Sequence, residues 1–275
     1  ERFTKLGVDV FIGDGRFVDA SSIDVEGKRL QFDRAVIATG ARPSELSIPG
    51  LREVGFYTNE TIFTLTELPR RLAVVGAGPV GCELAQTFQR FGSEVTMMTD
   101  GAEILPKEES EAAAFVRRQL EKDGMRILTG AKIHRAETKA GAKVLVVDVG
   151  DRSTEIACDA MLVAVGRTPN VENLGLDAAG IRYTTRGVEV DERLRTTNRR
   201  VYAAGDVCSH YRFTHAADAM ARIVIANALF FARRKASDLI IPWCTYTDPE
   251  IAHVGYYEKG AKAGGVDVFT ITESL

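Results

Sequence analysis

The chain has 275 residues, a formal net charge of −3, 45% hydrophobic residues and 27% charged residues. These values are those of an ordinary globular protein of one or two domains, and interspersed charges of both signs give no indication of a nucleic-acid binder. No run of about 18 apolar residues is present, so no membrane span is expected.

The four cysteines are widely spaced along the chain: Cys82, Cys158, Cys208 and Cys244. No two of them have C-x-x-C or another short redox or metal-binding spacing. We therefore expect free thiols in a reducing compartment such as the cytoplasm, and no metal site.

The first part of the chain reads as short strands separated by turn residues. A continuous apolar run at 35–38 stops at Thr39 and Gly40, which predicts a strand buried on both faces of a parallel sheet. The preceding short strands are expected at residues 8–11, 16–18, 23–25 and 29–32.

Residues 71–128 read as β-α-β-α-β, with strands at 72–75, 94–98 and 125–128. This order is typical of a mononucleotide-binding half of a doubly wound sheet. The helical spacing predicts two apolar faces, one formed by Val80, Leu84, Phe88 and Phe91, the other by Ala112, Phe115, Val116 and Leu120.

Three strand candidates follow, at 132–136, 143–149 and 154–157, and predict an antiparallel meander in place of a crossover helix. Apolar runs at 161–165 and 201–204 then end at Gly166 and Gly205, and a helix is expected at 217–231. An apolar strand followed by glycine thus occurs four times. Because ligands bind beyond the carboxyl ends of such strands, the chain favours two dinucleotide sites.

The sequence from Gly76 through Pro79 and Val80 to Gly81 fits G-x-G-x-x-G, between a strand and a helix. Gly76 permits the tight turn, Gly78 allows the backbone to approach a pyrophosphate, and Gly81 allows close packing of helix and strand. Helix N–H groups then face the phosphates. The alternative is a merely tight strand-to-helix turn.

The next strand ends at Thr99 and Asp100. An acidic residue at this position accepts a hydrogen bond from the ribose 2′-hydroxyl of NAD, whereas an arginine favours the 2′-phosphate of NADP. No arginine is present here, and Asp100 would repel a 2′-phosphate. We therefore expect NADH to be preferred over NADPH, unless Asp100 is only a turn residue before Gly101.

The order of five motifs resembles that of the pyridine nucleotide–disulfide oxidoreductases, with the dihydrolipoamide dehydrogenases and mercuric reductases as named members. The resemblance covers essentially the whole chain. The motifs are A-T-G (38–40), G-A-G-P-V-G-C-E (76–83), A-V-G-R-T-P-N (164–170), T-T-N-R-R-V-Y-A-A-G-D (196–206) and T-D-P-E-I-A-H-V-G (247–255).

The resemblance implies an α/β, Rossmann-like three-layer FAD/NAD(P)-binding fold with two nucleotide-binding domains and the start of an α+β interface domain. Residues 1–66 and 173–238 would form the two segments of the FAD-binding domain. Residues 67–172 would form the NAD(P)-binding domain, and 239–275 would begin a dimerisation domain.

Site residues carry over from the same motifs. Glu83 matches a glutamate near the nicotinamide and flavin, with a solvated helix residue as its alternative, and Gly166 matches a nicotinamide-side contact. Asp206 matches the aspartate that holds the ribityl chain of FAD. The remaining implied FAD contacts are Gly15, Thr39, Gly40, Thr214 and His215.

The family's redox cysteine pair, its G-x-G-x-x-G for FAD and its His-Glu pair are not found in the sequence. His253 is expected to pack rather than to replace that histidine. Together with the start at Glu1 and a strand-like end at 270–275, this suggests a chain cut at both ends, inactive alone, from a homodimeric parent.

The implied activity is hydride transfer from NAD(P)H to FAD, and from there to a disulfide or related small-molecule acceptor. Two alternatives stay open: a flavin-dependent NADH oxidase or reductase without a redox disulfide, and a non-catalytic NAD(P)-binding module.

Overall fold

The computed structural model describes residues 2–273, apart from the side chain of Lys259. The chain forms two compact units, of which the first comprises Glu1–Arg42 and Thr168–Ile241, and the second Pro43–Arg167 and Pro242–Leu275. Residues 43–66, predicted to belong to an FAD segment, therefore group with the second unit. The assignment of each range to a cofactor stays a prediction.

The first unit is built on two small sheets. One is an antiparallel meander of Gly15–Asp19, Ser22–Val25 and Lys28–Gln31. The other pairs Ala35–Ile37 in parallel with Val201–Ala203. The remaining elements are the helices Arg2–Lys5 and Thr214–Leu229, the 3₁₀ turns Gly205–Val207 and Ala236–Asp238, and the hairpin of Tyr183–Thr184 with Gly187–Val188.

Two expectations for this unit were wrong. Residues 8–11 form no strand, and their side chains lie exposed, so the apolar character of this stretch reflects no pairing with the sheet that follows. Val36 is 49% exposed, so Ala35–Ile37 is not buried on both faces. Its only strand neighbour among the described residues is Val201–Ala203, with Ile37 in the core.

The second unit contains the predicted β-α-β-α-β order. Its strands Ala160–Val163, Arg71–Val75, Glu94–Met98 and Arg126–Leu128 form one parallel sheet in that spatial order. The connecting helices are Pro79–Phe91, which we call the glycine-turn helix, and Ser110–Lys122. These elements confirm the expected β-α-β-α-β order and its parallel sheet.

Side chains of this sheet alternate between two cores because successive strand residues point to opposite faces. Leu72 and Val74 pack against the helices, whereas Ala73 and Val75 pack against the meander. That meander, predicted from the sequence, consists of Ala131–Lys139, Ala142–Val149 and Arg152–Cys158. The unit therefore has three layers, of helices, parallel sheet and antiparallel sheet.

The predicted helix faces were partly wrong. Val80, Phe91 and Phe115 are 42%, 68% and 60% exposed, whereas Cys82 and Ala85 are fully buried. Leu84 and Phe88 are half-buried, as Ala112 is, and Val116 and Leu120 are buried as expected. The small side chains of Cys82 and Ala85 let the glycine-turn helix lie close to the sheet, which rotates the larger residues toward its margins.

The end of the chain adds an antiparallel pair, Trp243–Thr245 with Ile251–His253, which we call the C-terminal hairpin. Residues 270–273 form no strand, and the rest of the predicted terminal strand, Ser274 and Leu275, lies outside the described residues. No helix within residues 2–273 is long and apolar enough to cross a membrane. The shorter elements are the helices Leu51–Val54 and Glu258–Ala263, the 3₁₀ turn Ile62–Thr64, and the strands Ala41–Pro43 and Arg167–Pro169.

Candidate functional site

The glycine turn, residues 76–81, joins the strand Arg71–Val75 to the glycine-turn helix. Gly76 has a φ of +107°, and a Cβ atom there would lie 2.5 Å from the carbonyl oxygen of Ala164. A Cβ atom at Gly81 would lie 2.1 Å from the carbonyl oxygen of Gly76. Both positions therefore require glycine for the close packing of turn, helix and neighbouring strand.

Gly78 differs from the other two glycines because a Cβ atom there would meet no protein atom within 4 Å. The helix begins at the next residue, Pro79, and no side chain caps it. The first N–H groups of a helix have no partner inside it, and they carry partial positive charge. The turn therefore offers open space and free donors to a phosphate, as a dinucleotide pyrophosphate requires.

A cavity of about 510 Å³ lies beside this turn. Three predicted site residues, Gly76, Thr99 and Asp100, line it. The other lining residues were not predicted from the sequence. They come from the loop 44–48, from the ends of two strands of the parallel sheet and the segment after a third, and from the antiparallel meander: Ser44, Glu45, Leu46, Ile48, Val75, Met98, Ala131, Lys132, Ile133 and Val165.

The cavity is lined by two acidic side chains and one basic side chain. Asp100 and Lys132 are both exposed, and Lys132 is the only cation among the lining residues. Glu45 also lines the cavity, and it is paired with Arg52. Thr99 is held in place, since its amide donates to Leu128 at 2.9 Å and its hydroxyl accepts from the Gly101 amide at 3.2 Å.

Glu83 lies one turn into the glycine-turn helix and is half-buried rather than solvated. Its carboxylate Oε1 accepts a 2.8 Å hydrogen bond from the amide of Tyr246, just after the first strand of the C-terminal hairpin. Burial raises the pKa of Glu83, and the Tyr246 amide partly opposes that rise. Glu83 therefore keeps its proton to higher pH than a surface glutamate does.

Gly166 follows the strand Ala160–Val163 with a φ of +113°, and no protein atom lies within 4 Å of a Cβ placed there. Its carbonyl oxygen accepts a 2.9 Å hydrogen bond from the amide of Ser44. That bond ties the strand end to the loop 44–48 that lines the cavity.

In the first unit, the predicted FAD residues Thr39 and Gly40 follow the strand Ala35–Ile37 and are held by Asn170. The Thr39 hydroxyl donates to the Asn170 carbonyl at 2.7 Å, and the Asn170 amide group donates to the Thr39 carbonyl at 2.9 Å. Gly40 has a φ of +67°, with no protein atom within 4 Å of a Cβ placed there.

Asp206 lies in the 3₁₀ turn Gly205–Val207, directly beyond the strand Val201–Ala203. Its side chain is half-buried. Gly205 makes the sharp turn with a φ of +80°. Because the strands Ala35–Ile37 and Val201–Ala203 are parallel neighbours, Gly40 and Asp206 follow their carboxyl ends on one edge of the sheet.

The other predicted FAD residues lie on different elements of the first unit. Thr214 and His215 open the helix Thr214–Leu229 and are exposed, and the His215 ring stacks on Phe213 with centroids 5.4 Å apart. Gly15 begins the strand Gly15–Asp19.

The four thiols are free, and none has a lowered pKa. Burial raises the pKa of Cys82 and of Cys208 to about 12, and that of Cys158 to about 11. Thiols of this kind are protonated at neutral pH and react poorly as nucleophiles. His253 packs between Trp243 and Tyr257, with centroids 4.2 and 3.9 Å away, as expected of a packing residue.

The family model described as pyridine nucleotide-disulphide oxidoreductase matches residues 2–221. Mercuric reductase of Staphylococcus aureus is 37% identical over 267 residues, which cover 97% of this chain and 49% of that protein. Dihydrolipoyl dehydrogenase of Geobacillus stearothermophilus is 34% identical over 267 residues, with 95% and 56% covered.

Among solved structures, the HOCl-induced flavoprotein disulfide reductase RclA from Escherichia coli superposes with a TM-score of 0.86 at 30% identity. The match covers 94% of this chain and 60% of that one. The chain spans about half the length of the curated relatives it matches. Since the family model matches most of its residues, the chain belongs to the pyridine nucleotide-disulphide oxidoreductase family.

Proposed function

We propose that this protein is an FAD-dependent oxidoreductase that accepts a hydride from NAD(P)H and delivers the electrons to a disulfide or related acceptor. The observation that carries this proposal is the glycine turn, where Gly78 faces open space at the uncapped start of a helix. Similarity to a mercuric reductase, a dihydrolipoyl dehydrogenase and a flavoprotein disulfide reductase supports it.

The second unit would hold the nicotinamide nucleotide. The amides of Val80 and Gly81 bind the pyrophosphate, with Gly76 and Gly78 leaving room for it and Pro79 starting the helix. Thr99 and Asp100 contact the adenosine ribose in the cavity. Glu83 and Gly166 lie on the nicotinamide side, where Glu83 orients the ring through its carboxylate.

The preference for NADH is proposed on electrostatic grounds. Asp100 would repel the 2′-phosphate of NADPH and accept a hydrogen bond from the 2′-hydroxyl of NADH. Lys132 would act in the opposite direction on the same phosphate, so the two side chains together set the degree of discrimination.

The first unit would hold FAD. Asp206 accepts hydrogen bonds from the ribityl hydroxyls, and the open backbone at Gly40, beside Thr39, accommodates a close ligand. Thr214 and His215 contribute the start of a helix, and Gly15 contributes the start of a strand. Bound FAD supplies the capacity to accept a hydride and pass on single electrons or pairs.

The four cysteines described here are poor candidates for the redox pair of a disulfide reductase, because their pKa values are raised rather than lowered. The acceptor is therefore a disulfide formed by other cysteines or a small molecule. Free thiols also support a reducing, cytoplasmic location. A homodimer is proposed from the family resemblance alone.

The test is spectroscopic. Purified full-length protein is expected to show flavin absorbance at about 450 nm that bleaches when NADH is added without oxygen. Asp206→Ala should lose flavin, whereas the control Asp24→Ala, in the strand Ser22–Val25 of the same unit, should retain it. A protein that binds NADH but never acquires flavin would contradict the enzyme and favour a nucleotide-binding module.

A further inference from the structure

The carboxylate of Glu83 depends on a backbone amide from a distant part of the chain. Tyr246, whose N–H donates to Glu83 Oε1 at 2.8 Å, is 163 residues away in sequence. Tyr246 is 73% exposed, so packing of its own side chain does not fix that amide. Another group must hold residues 246–248 against the glycine-turn helix.

That group is Gln86, which is only 4% exposed and lies three residues after Glu83, on the same side of the helix. Its Oε1 accepts from the Asp248 amide at 2.8 Å, and its Nε2 donates to the Asp248 carbonyl at 2.9 Å. One buried side chain therefore satisfies both backbone groups of Asp248. A third bond, from Nε2 to Asp123 Oδ2 at 3.1 Å, fixes the orientation of the amide.

Arg90, four residues further along the helix, supports the same segment through an ion pair. Its Nη2 lies 2.8 Å from Asp248 Oδ2, and its Nε donates to Asp123 Oδ2 at 2.9 Å. Glu83, Gln86 and Arg90 thus form one row that holds the loop of the C-terminal hairpin. Within the loop, the Thr247 hydroxyl donates to the Pro249 carbonyl at 2.8 Å.

We propose that Gln86 is a positioning residue for Glu83: by clamping Asp248, it keeps the Tyr246 amide on the carboxylate that faces the nicotinamide. The nicotinamide part of this inference rests on the proposed function. The clamp itself is a property of the second unit and can be tested without any cofactor.

The clamp has a measurable consequence for the ionisation of Glu83. The Tyr246 amide lowers the pKa of Glu83 against the larger effect of burial. The titratable groups that interact with Glu83 are the thiols of Cys82, on its own helix, and Cys244, on the hairpin. Both thiols have raised pKa values and stay neutral where a glutamate titrates, so the amide is the group that favours ionised Glu83.

The experiment is a carboxyl ¹³C NMR titration of glutamate-labelled protein, with the Glu83 signal assigned by its loss in Glu83→Gln. Gln86→Leu should move the midpoint of Glu83 to higher pH, because the Tyr246 amide is no longer held. Gln119→Leu is the matched control, since Gln119 donates to the same Asp123 at 2.6 Å but does not take part in the hydrogen bonds that hold Asp248. Its Glu83 midpoint should equal that of the unmodified protein.

If Gln86→Leu fails to fold, Arg90→Gln tests the proposal in its place. This variant removes the ion pair to Asp248, so the Glu83 midpoint should shift in the same direction by a smaller amount. An unchanged Glu83 midpoint in the folded variant, or an equal shift in Gln119→Leu, would overturn the proposal. If the unmodified protein does not reduce flavin with NADH, but the Glu83 midpoint shifts in Gln86→Leu as expected, the proposed function is contradicted and the clamp is not.

Discussion

A Cβ atom on Gly81 would lie 2.1 Å from the carbonyl oxygen of Gly76, far inside contact distance. The glycine-turn helix therefore crosses its own preceding turn at a spacing that only a hydrogen atom allows. The obstacle is backbone, which cannot rotate away as a flexible side chain could. The geometry that brings the helix N-terminus over the strand end depends on this contact.

Gly81→Ala is expected to destabilise the second unit by about 1–3 kcal/mol, as overpacking in a closely packed core does. The control is Gly260→Ala, in the helix Glu258–Ala263, where a Cβ would meet nothing within 4 Å. Alanine should be neutral or slightly stabilising there. Urea unfolding midpoints measure both effects, and equal stability of the two variants would contradict the close approach.

The charges in the cavity predict opposite changes in nucleotide preference. Asp100→Asn should raise the affinity for NADPH relative to NADH by about three- to tenfold at low salt, since one repulsive charge is removed. Lys132→Gln should shift the preference the other way, and both effects should shrink as salt is added. The control is Asp151→Asn, in the turn between the strands Ala142–Val149 and Arg152–Cys158, where no change in nucleotide preference is expected. Dissociation constants by calorimetry decide, and insensitivity to both charges would refute the ribose assignment.

Glu83 gives a pH dependence whose sign follows from burial. Its pKa is raised in the folded protein, so its ionised form costs stability, which falls as pH rises above the ordinary glutamate pKa. Glu83→Gln should therefore be slightly more stable at neutral pH, by less than about 1 kcal/mol because water screens a half-buried group. The difference should vanish at acidic pH. Thermal unfolding across this range measures it, and a variant less stable at neutral pH would contradict it.

Glu172, in the first unit, has a lowered pKa, so its effect on stability changes with pH in the opposite direction to that of Glu83. Arg42 binds it through two hydrogen bonds of 2.9 Å, and these bonds lower the pKa of Glu172 to about 2. The stabilisation is present above the ordinary glutamate pKa and is lost as pH falls toward about 2.

Glu172→Gln should cost up to about 1 kcal/mol at neutral pH, since the pair is half-exposed, and nothing at the acidic limit. The comparison is Glu189→Gln, since the Glu189 carboxylate lies 3.4 Å from Arg182 Nε, farther than Glu172 lies from Arg42. A Glu172→Gln effect that persists unchanged at the acidic limit would show that the charge plays no part.

The parallel sheet and its helices could be predicted because a short continuous apolar run, such as residues 72–75, ends at a glycine and is followed by helical periodicity. The exact buried faces could not, because periodicity ranks Phe91 and Phe115 above Cys82 and Ala85. Close approach of helix and sheet selects the small residues instead. The apolar residues at 8–11 predict a strand that the structure lacks, because apolar alternation carries no information about whether a partner strand exists.

The glycine turn and Asp100 were predicted because each has a local signature beside a strand end. The wall formed by Ser44 and Lys132, and the bond from Tyr246 to Glu83, join residues far apart in the chain, and no local spacing records them. The role of Gln86 could not be predicted for the same reason. On a helix a glutamine is unremarkable in sequence, and only its burial against Asp248 indicates a positioning role.

The most direct measurement is calorimetric titration of NADH into the unmodified protein and into Gly78→Val. The backbone at Gly78, with φ −78° and ψ −177°, suits valine, and no protein atom obstructs it. The thermal midpoint should therefore stay the same while NADH affinity falls at least about tenfold, or about 1.4 kcal/mol. Unchanged NADH affinity in the folded variant would show that the nucleotide does not bind across this turn.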